Sequence, residues 1–250
     1  MSGHSKWKTN KGKKALADAK KGATYTKVIK EITVAAREGG GNPETNSKLR
    51  TAMAKAKEAN MPQDNVKMAI KRGTGEIPGV IYEEVIYEAY GPGGVAVLVE
   101  ALTDNKNRTT AELRSIMSKK GGNMAGAGSV SWMFVKKGFI MVEKNQIQED
   151  ELMNIVLDAG AEDIKSDDKN YEIYTPPSNF EKVKEAVSAK GIKTLDAEIT
   201  MIPSSSIKLA GNEAKQLLAL IEGLEEHDDV QNVSANFDIP DEIIEQMTSA

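Results

Sequence analysis

The apolar residues of this chain repeat with a helical period up to about residue 78 and with the alternating period of strands beyond it. Residues 82–90 and 95–102, on the strand side, are rich in β-branched and aromatic side chains and are joined by a glycine-rich turn, which predicts a hairpin. On the helical side, one stripe at three- and four-residue steps predicts an amphipathic helix. The stripe comprises Tyr25, Val28, Ile29, Ile32 and Ala36. The chain is therefore restricted to helices first and sheets afterwards.

Residues 1–78 are predicted to form a basic domain of three short helices. Gly39-Gly40-Gly41 ends the first helix, and Asn42-Pro43 restarts the chain with Pro43 at the first helical position. Pro62 begins the third helix, which Gly73 ends. The stripe between them comprises Leu49, Ala52, Met53 and Ala56. Because these stripes are short and rich in alanine, we expect the domain to bury little apolar surface.

The remainder is predicted to be α+β, as two ferredoxin-like domains, one inserted in the other. Residues 136–204 follow a strand–helix–strand–strand–helix–strand pattern, the split unit of ferredoxin-like folds. Residues 79–135 give a hairpin, a helix opened by the capping box Thr109-x-x-Glu112, and a strand at Val130–Val135. Residues 205–250 add one helix and one strand to that sheet. The competing arrangement is two compact domains in series with a trailing helix.

The charge changes sign where the apolar period changes. Residues 1–78 hold 17 Lys+Arg against 7 Asp+Glu, and residues 79–250 hold 16 Lys+Arg against 30 Asp+Glu. The net charge of −4 is therefore the sum of +10 on the first segment and −14 on the second. A basic segment attracts phosphates and an acidic one repels them. We therefore expect the helical domain to contact nucleic acid. The candidate contacts are Lys6, Trp7, Lys8, Lys11, Lys13, Lys14, Lys20, Lys21, Lys27, Lys30, Arg37, Lys48, Arg50, Lys55, Lys57, Lys67, Lys71 and Arg72.

Residues 1–14 combine five lysines with one aromatic side chain and lack an apolar period. This composition predicts a flexible basic arm in which Trp7 stacks on an unpaired base. In the alternative interpretation, Trp7 folds back onto the helices as a hydrophobic plug.

Composition and motifs exclude several classes of function. The chain has no cysteine, which removes zinc fingers and thiol nucleophiles and fits a reducing cytoplasm. It has no apolar run long enough for a membrane span and no secretory signal. It also has no Walker loop. The run Glu225–Asp229, which contains His227, is interpreted as a solvated turn rather than a site for a hard cation. We predict no enzyme activity, metal or cofactor.

The glycine-rich stretch from Gly121 to Gly128 has two open interpretations. It is either a long strand connection or a place where a ligand approaches the backbone closely.

Several blocks resemble the YebC/PmpR family of transcriptional regulators. Gly3-His4-Ser5-Lys6-Trp7 is similar to the N-terminal signature of that family. Further matching blocks are Lys30–Gly41, Ala59–Pro62, Ile70–Gly75, Tyr90–Ala96, Leu102–Thr109 and Ser129–Phe134. The resemblance implies a cytoplasmic protein with a helical domain followed by two α+β domains. It implies DNA binding and transcriptional control for some members, and help with translation at the ribosome for others.

Two functions follow as hypotheses. The first is a DNA-binding transcriptional regulator that docks its helical domain on phosphates. The second is a translation factor that binds ribosomal RNA. Under either hypothesis the acidic domains position the helical domain or meet a ribosome or protein partner, and no membrane is involved.

Overall fold

The computed structural model describes residues 18–240 and 243–244, with side chains from residue 22 onward. Within these residues, three helices come first and two four-stranded sheets follow. The mixed α+β class is thereby confirmed. Every helix in the described part of the chain is too short or too polar to cross a bilayer.

The first helix, α1 (Asp18–Gly39), is the spine of the helical unit, and α2 (Ser47–Glu58) and α3 (Gln63–Thr74) both pack against it. The predicted apolar stripes meet in one small core. This core includes Val28, Ile32, Leu49, Ala52, Ala56, Val66 and Ala69.

The predicted start of the second helix at Pro43 is wrong. Helix α2 begins at Ser47, because the Asn46 carbonyl oxygen accepts the Leu49 N–H in a side-chain cap. The Asn46 amide also donates to Ala35 O and Gly40 O, which joins this cap to the end of α1. Pro43 cannot supply either contact.

The predicted end of the third helix at Gly73 is also wrong. Helix α3 continues to Thr74 and is capped by Gly75 at φ 80°. Gly73 instead lies where α3 crosses α1, and a Cβ atom there would come within 2.4 Å of Thr33 O.

The first sheet is built from two separated parts of the chain. Its strands are β1 (Glu83–Tyr90), β2 (Ala96–Thr103) and β3 (Asn123–Met124), together with β9 (Val230–Ala235), in the order β3-β1-β2-β9. Two helices, α4 (Lys106–Lys119) and α7 (Gly211–Glu225), cover one face. Buried Val97, Val99, Leu113, Leu217 and Ile221 belong to the core between them.

The predicted capping box at Thr109 is wrong. Helix α4 begins at Lys106, one turn earlier, because Asn105 Oδ1 accepts the Arg108 N–H. Thr109 is fully buried, and its hydroxyl donates to Asp229 at 2.6 Å.

The second sheet lies in the chain between the two parts of the first. Its elements are β4 (Phe134–Glu143), α5 (Glu149–Ala159), β5 (Asp163–Ser166), β6 (Asn170–Thr175), α6 (Phe180–Ala189) and β7 (Thr194–Pro203). The order β5-β6-β4-β7, with every pair antiparallel, is that of the predicted ferredoxin-like unit. The first sheet has a different strand order because it opens with a hairpin.

The predicted separate strand at Val130–Val135 is wrong. Ser131–Met133 form a 3₁₀ turn, and β4 then runs without a break from Phe134 to Glu143, so that it is also the first strand of the predicted ferredoxin-like unit. Val130 and Phe134 pack with Ala96 and Leu98 on the face of the first sheet opposite α4 and α7. After the second sheet, β8 (Ile207–Lys208) and β10 (Phe237–Asp238) form a short parallel pair.

Candidate nucleic-acid interface

Among the described residues of the helical unit, helix α3 presents the clearest basic surface without acidic partners. Its apolar side is buried in the unit, which turns Lys67 and Lys71 outward, and they share one face because they are four residues apart. Arg72 is exposed beside them, and Lys57 is exposed in the last turn of α2. None of these four residues forms an ion pair with a residue that the structure describes.

Two further predicted residues lie on the surface in ion pairs. Lys48 Nζ is 2.7 Å from Glu38 Oε2, and Lys55 Nζ is 2.8 Å from Glu31 Oε2. The hydrogen bond to Glu38 raises the pKa of Lys48, so its ammonium stays charged. Surface pairs of this kind contribute about 0–1 kcal/mol. Both lysines can therefore exchange a carboxylate for a phosphate at little cost.

Two of the predicted arginines donate to backbone carbonyls. Arg37 Nη2 donates to Tyr82 O at 2.6 Å, and Arg50 Nη1 donates to Pro43 O at 3.1 Å. Arg50 also lines, with Lys55, a cleft of about 410 Å³ where α2 faces both sheets. These residues do not share the outward face of α3.

Lys27 and Lys30 lie inside the junction between α1 and the first sheet unit. Lys27 Nζ donates to Glu225 O at 2.5 Å, and Lys30, which is only 6% exposed, donates to Asp228 O. Lys30 Nζ also lies 2.5 Å from Asp229 Oδ1. The structure thus places these two predicted contacts where they join the units, with Lys27 half-buried and Lys30 buried.

Asp229 is the centre of this junction. Its carboxylate accepts from Lys30 on α1 and from both Arg108 and Thr109 on α4. Burial raises the pKa of Asp229, but the hydrogen bonds from Lys30, Thr109 and Arg108 outweigh it and hold the pKa well below its usual range. The carboxylate is therefore charged at neutral pH and holds α1 against α4.

Three side chains at this junction are grouped as metal ligands would be, but their ligand atoms already bond to other protein groups. Glu112, His227 and Asp229 bring one ligand atom each within 4.8 Å of one another. However, Asp229 N–H donates to His227 Nδ1, which leaves the hydrogen on Nε2, where it donates to Glu112 at 2.9 Å. Nε2 is then not a free ligand atom. We assign the cluster to the junction.

The remaining predicted contacts have no described side chains. Lys6, Trp7, Lys8, Lys11, Lys13 and Lys14 lie outside the described residues, and Lys20 and Lys21 belong to α1 without described side chains. Their roles stay predictions.

Sequence reasoning missed the role of Asp229 and its partners. Asp229 follows Arg108 and Thr109 by 121 and 120 residues in the chain, and it looked like one acid in a solvated turn. The available signal was that Lys30 directly follows Ile29 of the apolar stripe, at the edge of a core where a charge needs a partner.

Comparison with known proteins gives matches over nearly all of the chain. Residues 5–76 match the family model described as the TACO1/YebC protein N-terminal domain, and residues 82–237 match the TACO1/YebC second and third domain. A protein of Syntrophus aciditrophicus is 57% identical over the whole of both chains. One of Dictyoglomus turgidum is 53% identical over 99% of this chain and all of its own. Both carry the name probable transcriptional regulatory protein.

A solved structure has the same fold. The crystal structure of a conserved hypothetical protein, Aq1575, from Aquifex aeolicus superimposes with a TM-score of 0.80 at 47% identity. The match covers 90% of this chain and 93% of that one.

Proposed function

The chain belongs to the TACO1/YebC family, and from that premise we propose that it is a nucleic-acid-binding regulator of gene expression, acting as a DNA-binding transcriptional regulatory protein. The names of its relatives support regulation of gene expression. The basic face of α3, whose cations pair with no residue that the structure describes, is the observation that carries the DNA-binding part. We place this action in the cytoplasm and propose no catalytic role.

Binding begins with electrostatic docking of the helical unit on phosphates. Residues 47–74 contain seven Lys+Arg against two Asp+Glu, so α2 and α3 bring a local excess of positive charge. The acidic sheets are repelled by the same phosphates, which orients the molecule with α3 toward the nucleic acid. The Lys30–Asp229 contact keeps the two units in a fixed relation, so this orientation is transmitted to the sheets.

A second candidate is a translation factor that binds ribosomal RNA. The type of cation present supports it as well as it supports DNA binding, because residues 1–78 contain 14 Lys and 3 Arg. Lysine contacts phosphate as a point charge, whereas arginine can read guanine with two hydrogen bonds. A lysine surface of this kind suits folded RNA as well as duplex DNA.

Charge removal on α3 tests the proposed interface. In Lys67→Ala/Lys71→Ala, affinity for a duplex should fall, and the log–log dependence of affinity on salt should become shallower by about 2. The wild-type slope should be about −5 if roughly six phosphates are contacted. The matched control is Lys182→Ala/Lys190→Ala, which removes two exposed lysines from the second sheet unit. Fluorescence anisotropy across a salt series measures both quantities.

Two outcomes of this experiment would contradict the proposal. A wild-type affinity that does not change with salt would remove the electrostatic mechanism. Equal losses in the α3 variant and its control would move the interface away from α3. Co-sedimentation with ribosomes, compared with binding to promoter fragments under the same salt, separates ribosomal RNA from duplex DNA as the target.

A further inference from the structure

Trp132 is the most exposed of the large hydrophobic side chains that the structure describes. It lies in the 3₁₀ turn Ser131–Met133, which follows the glycine-rich loop and leads into β4, and it is 72% exposed. Its neighbours Val130 and Phe134 are buried against the first sheet. The buried residues on either side thus anchor the turn to the first sheet, while the indole of Trp132 stays in solvent.

The polar edge of the indole is fixed in place. Trp132 Nε1 donates to Ser129 O at 3.1 Å, and the Tyr90 hydroxyl donates to the same carbonyl oxygen at 3.3 Å. Tyr90, on β1, is itself 38% exposed. Two exposed aromatic side chains therefore converge on one backbone atom. With their polar atoms engaged, what they offer to a ligand is ring surface.

A buried carboxylate holds the loop beneath these rings. Glu88, also on β1, is only 7% exposed, and its carboxylate accepts N–H bonds from Gly128, Val130 and Ser131 at 2.6, 2.6 and 2.9 Å. Burial raises the pKa of Glu88, but these backbone bonds outweigh it and lower the pKa overall, so the clamp is charged at neutral pH. A buried charge costs free energy unless it is fully bonded, and here it is used to order a surface loop.

The surface around the rings is neutral and open. Residues 125–135 contain no charged side chain, in a chain of which 28% of residues are charged. A Cβ atom on Gly128 would meet no atom within 4 Å, and one on Gly126 only Ser129 Oγ at 3.9 Å. A flat ligand can therefore approach the backbone of this loop and reach its peptide groups.

We propose that Trp132 and Tyr90, on the loop clamped by Glu88, form a stacking site for an unpaired nucleobase. The base lies on the indole face with one edge toward the backbone of Gly126–Gly128, where the Gly128 N–H and the Gly126 carbonyl are already bonded within the protein. Because residues 125–135 carry no charge, this patch lacks the repulsion of phosphates that the rest of the acidic sheets exert, and it suits a base. This site rests on the proposed nucleic-acid function and deepens it. Its ligand is a single-stranded or looped nucleic acid, of either sugar type.

Tryptophan fluorescence tests the site directly. The chain has two tryptophans, so Trp7→Phe leaves Trp132 as the only indole while keeping an aromatic ring at residue 7. The full-length variant is titrated with a 12-nucleotide single-stranded RNA, the DNA of the same sequence, and the DNA duplex. We expect saturable quenching of Trp132 by a single strand and much weaker quenching by the duplex. Which of the two single strands quenches at lower concentration identifies the sugar.

Substitution gives the second measurement. Trp132→Ala should weaken single-strand affinity by roughly 5- to 150-fold, since a stacked base contributes on that scale. Trp132→Phe should retain most of the affinity. The matched control is Ile81→Ala, which truncates a side chain that is 69% exposed in the segment between α3 and β1. An unchanged melting temperature in each variant shows that the fold is intact.

The outcomes separate this site from the function on which it rests. If single strands bind by anisotropy but neither quench Trp132 nor respond to Trp132→Ala, the stacking site is wrong and the basic interface stands. If no nucleic acid binds in either assay, the proposed function fails together with the site. Quenching by a duplex as strong as by a single strand, or by an apolar peptide in place of an oligonucleotide, would also overturn the site.

Discussion

Single residues of the same type have different roles in this protein, and burial decides between them. Lys30 and Lys67 both belong to the basic segment, yet Lys30 is buried against Asp229 and Lys67 faces solvent. A lysine in solvent keeps its charge available for a phosphate. A buried lysine has lost its hydration and must be compensated by a partner.

Asp229→Asn should destabilise the protein at neutral pH by about 3 kcal/mol, because Lys30 and Arg108 lose a buried partner. The folded-state pKa of Asp229 is depressed, so its contribution is present above the unfolded value near 3.8 and is lost as pH falls below it. The stability difference between wild type and variant should therefore shrink below about pH 4. Denaturant unfolding at pH 7 and at lower pH measures it.

Asp104→Asn is the matched control for this prediction. Asp104 pairs with the same Arg108, but its side chain is 38% exposed. The cost should stay below about 1 kcal/mol. Equal losses for the two variants, or a difference that does not depend on pH, would contradict the buried ion pair.

At the scale of elements, the position of α3 depends on how closely it approaches α1. A Cβ atom at Gly73 would meet Thr33 O at 2.4 Å and Ala36 Cβ at 2.7 Å. The two backbones can come together only because this residue has no side chain. The approach fixes which side of α3 is buried, and hence that Lys67 and Lys71 point outward.

Gly73→Ala should destabilise the helical unit by roughly 1–3 kcal/mol, because the helices must separate to admit the methyl group. Gly22→Ala is the matched control in α1, where a Cβ atom would meet nothing within 4 Å. That change should stabilise the helix by about 0.5–1 kcal/mol. Thermal unfolding followed by far-UV circular dichroism compares them. The same sign of effect at both positions would refute the close approach.

At the scale of the whole molecule, charge is separated between units that are held in contact. The basic helices and the acidic sheets meet at Lys30 and Asp229, and the sheets meet each other where Asn232 donates to Thr200 at 2.9 Å. The protein therefore presents a basic end and an acidic end as one body.

Sequence discrimination between duplexes should be weak, on the order of tenfold or less, because the exposed cations are mainly lysines that contact phosphates. Competition between duplexes of equal length and different sequence measures the ratio. A preference of roughly a thousandfold, as dedicated regulators show, would mean that an element other than α3 reads bases.

We propose domain boundaries at 1–78, at 79–135 with 205–250, and at 136–204. The two apolar clusters of the second sheet draw on residues 140–197 and 139–202, and Phe134 pairs with Pro203 so that the ends of this unit are neighbours. A fragment of residues 134–204 should therefore unfold cooperatively on its own, as seen by calorimetry. Residues 79–135 alone should not fold, because they lack α7 and β9. A folded 79–135 fragment would favour domains in series.

The sequence by itself determined the class of each segment, because apolar period and charge are local properties of the chain. It determined three basic helices, a ferredoxin-like unit inserted between the parts of another sheet, and the family that the motifs of the first 135 residues resemble. Helix ends were harder to predict from the sequence, since Asn46 and Asn105 act as caps only through the particular backbone groups that reach them.

Only the tertiary structure decided which charges are free. It showed that Lys30 forms a buried ion pair with Asp229, 199 residues away, and that Lys67 and Lys71 are not paired with any described residue. It also showed that Trp132 and Tyr90 share one carbonyl oxygen above the buried Glu88. Such relations join positions far apart in the chain, and they depend on solvent exclusion and distance, which no local pattern of residues encodes.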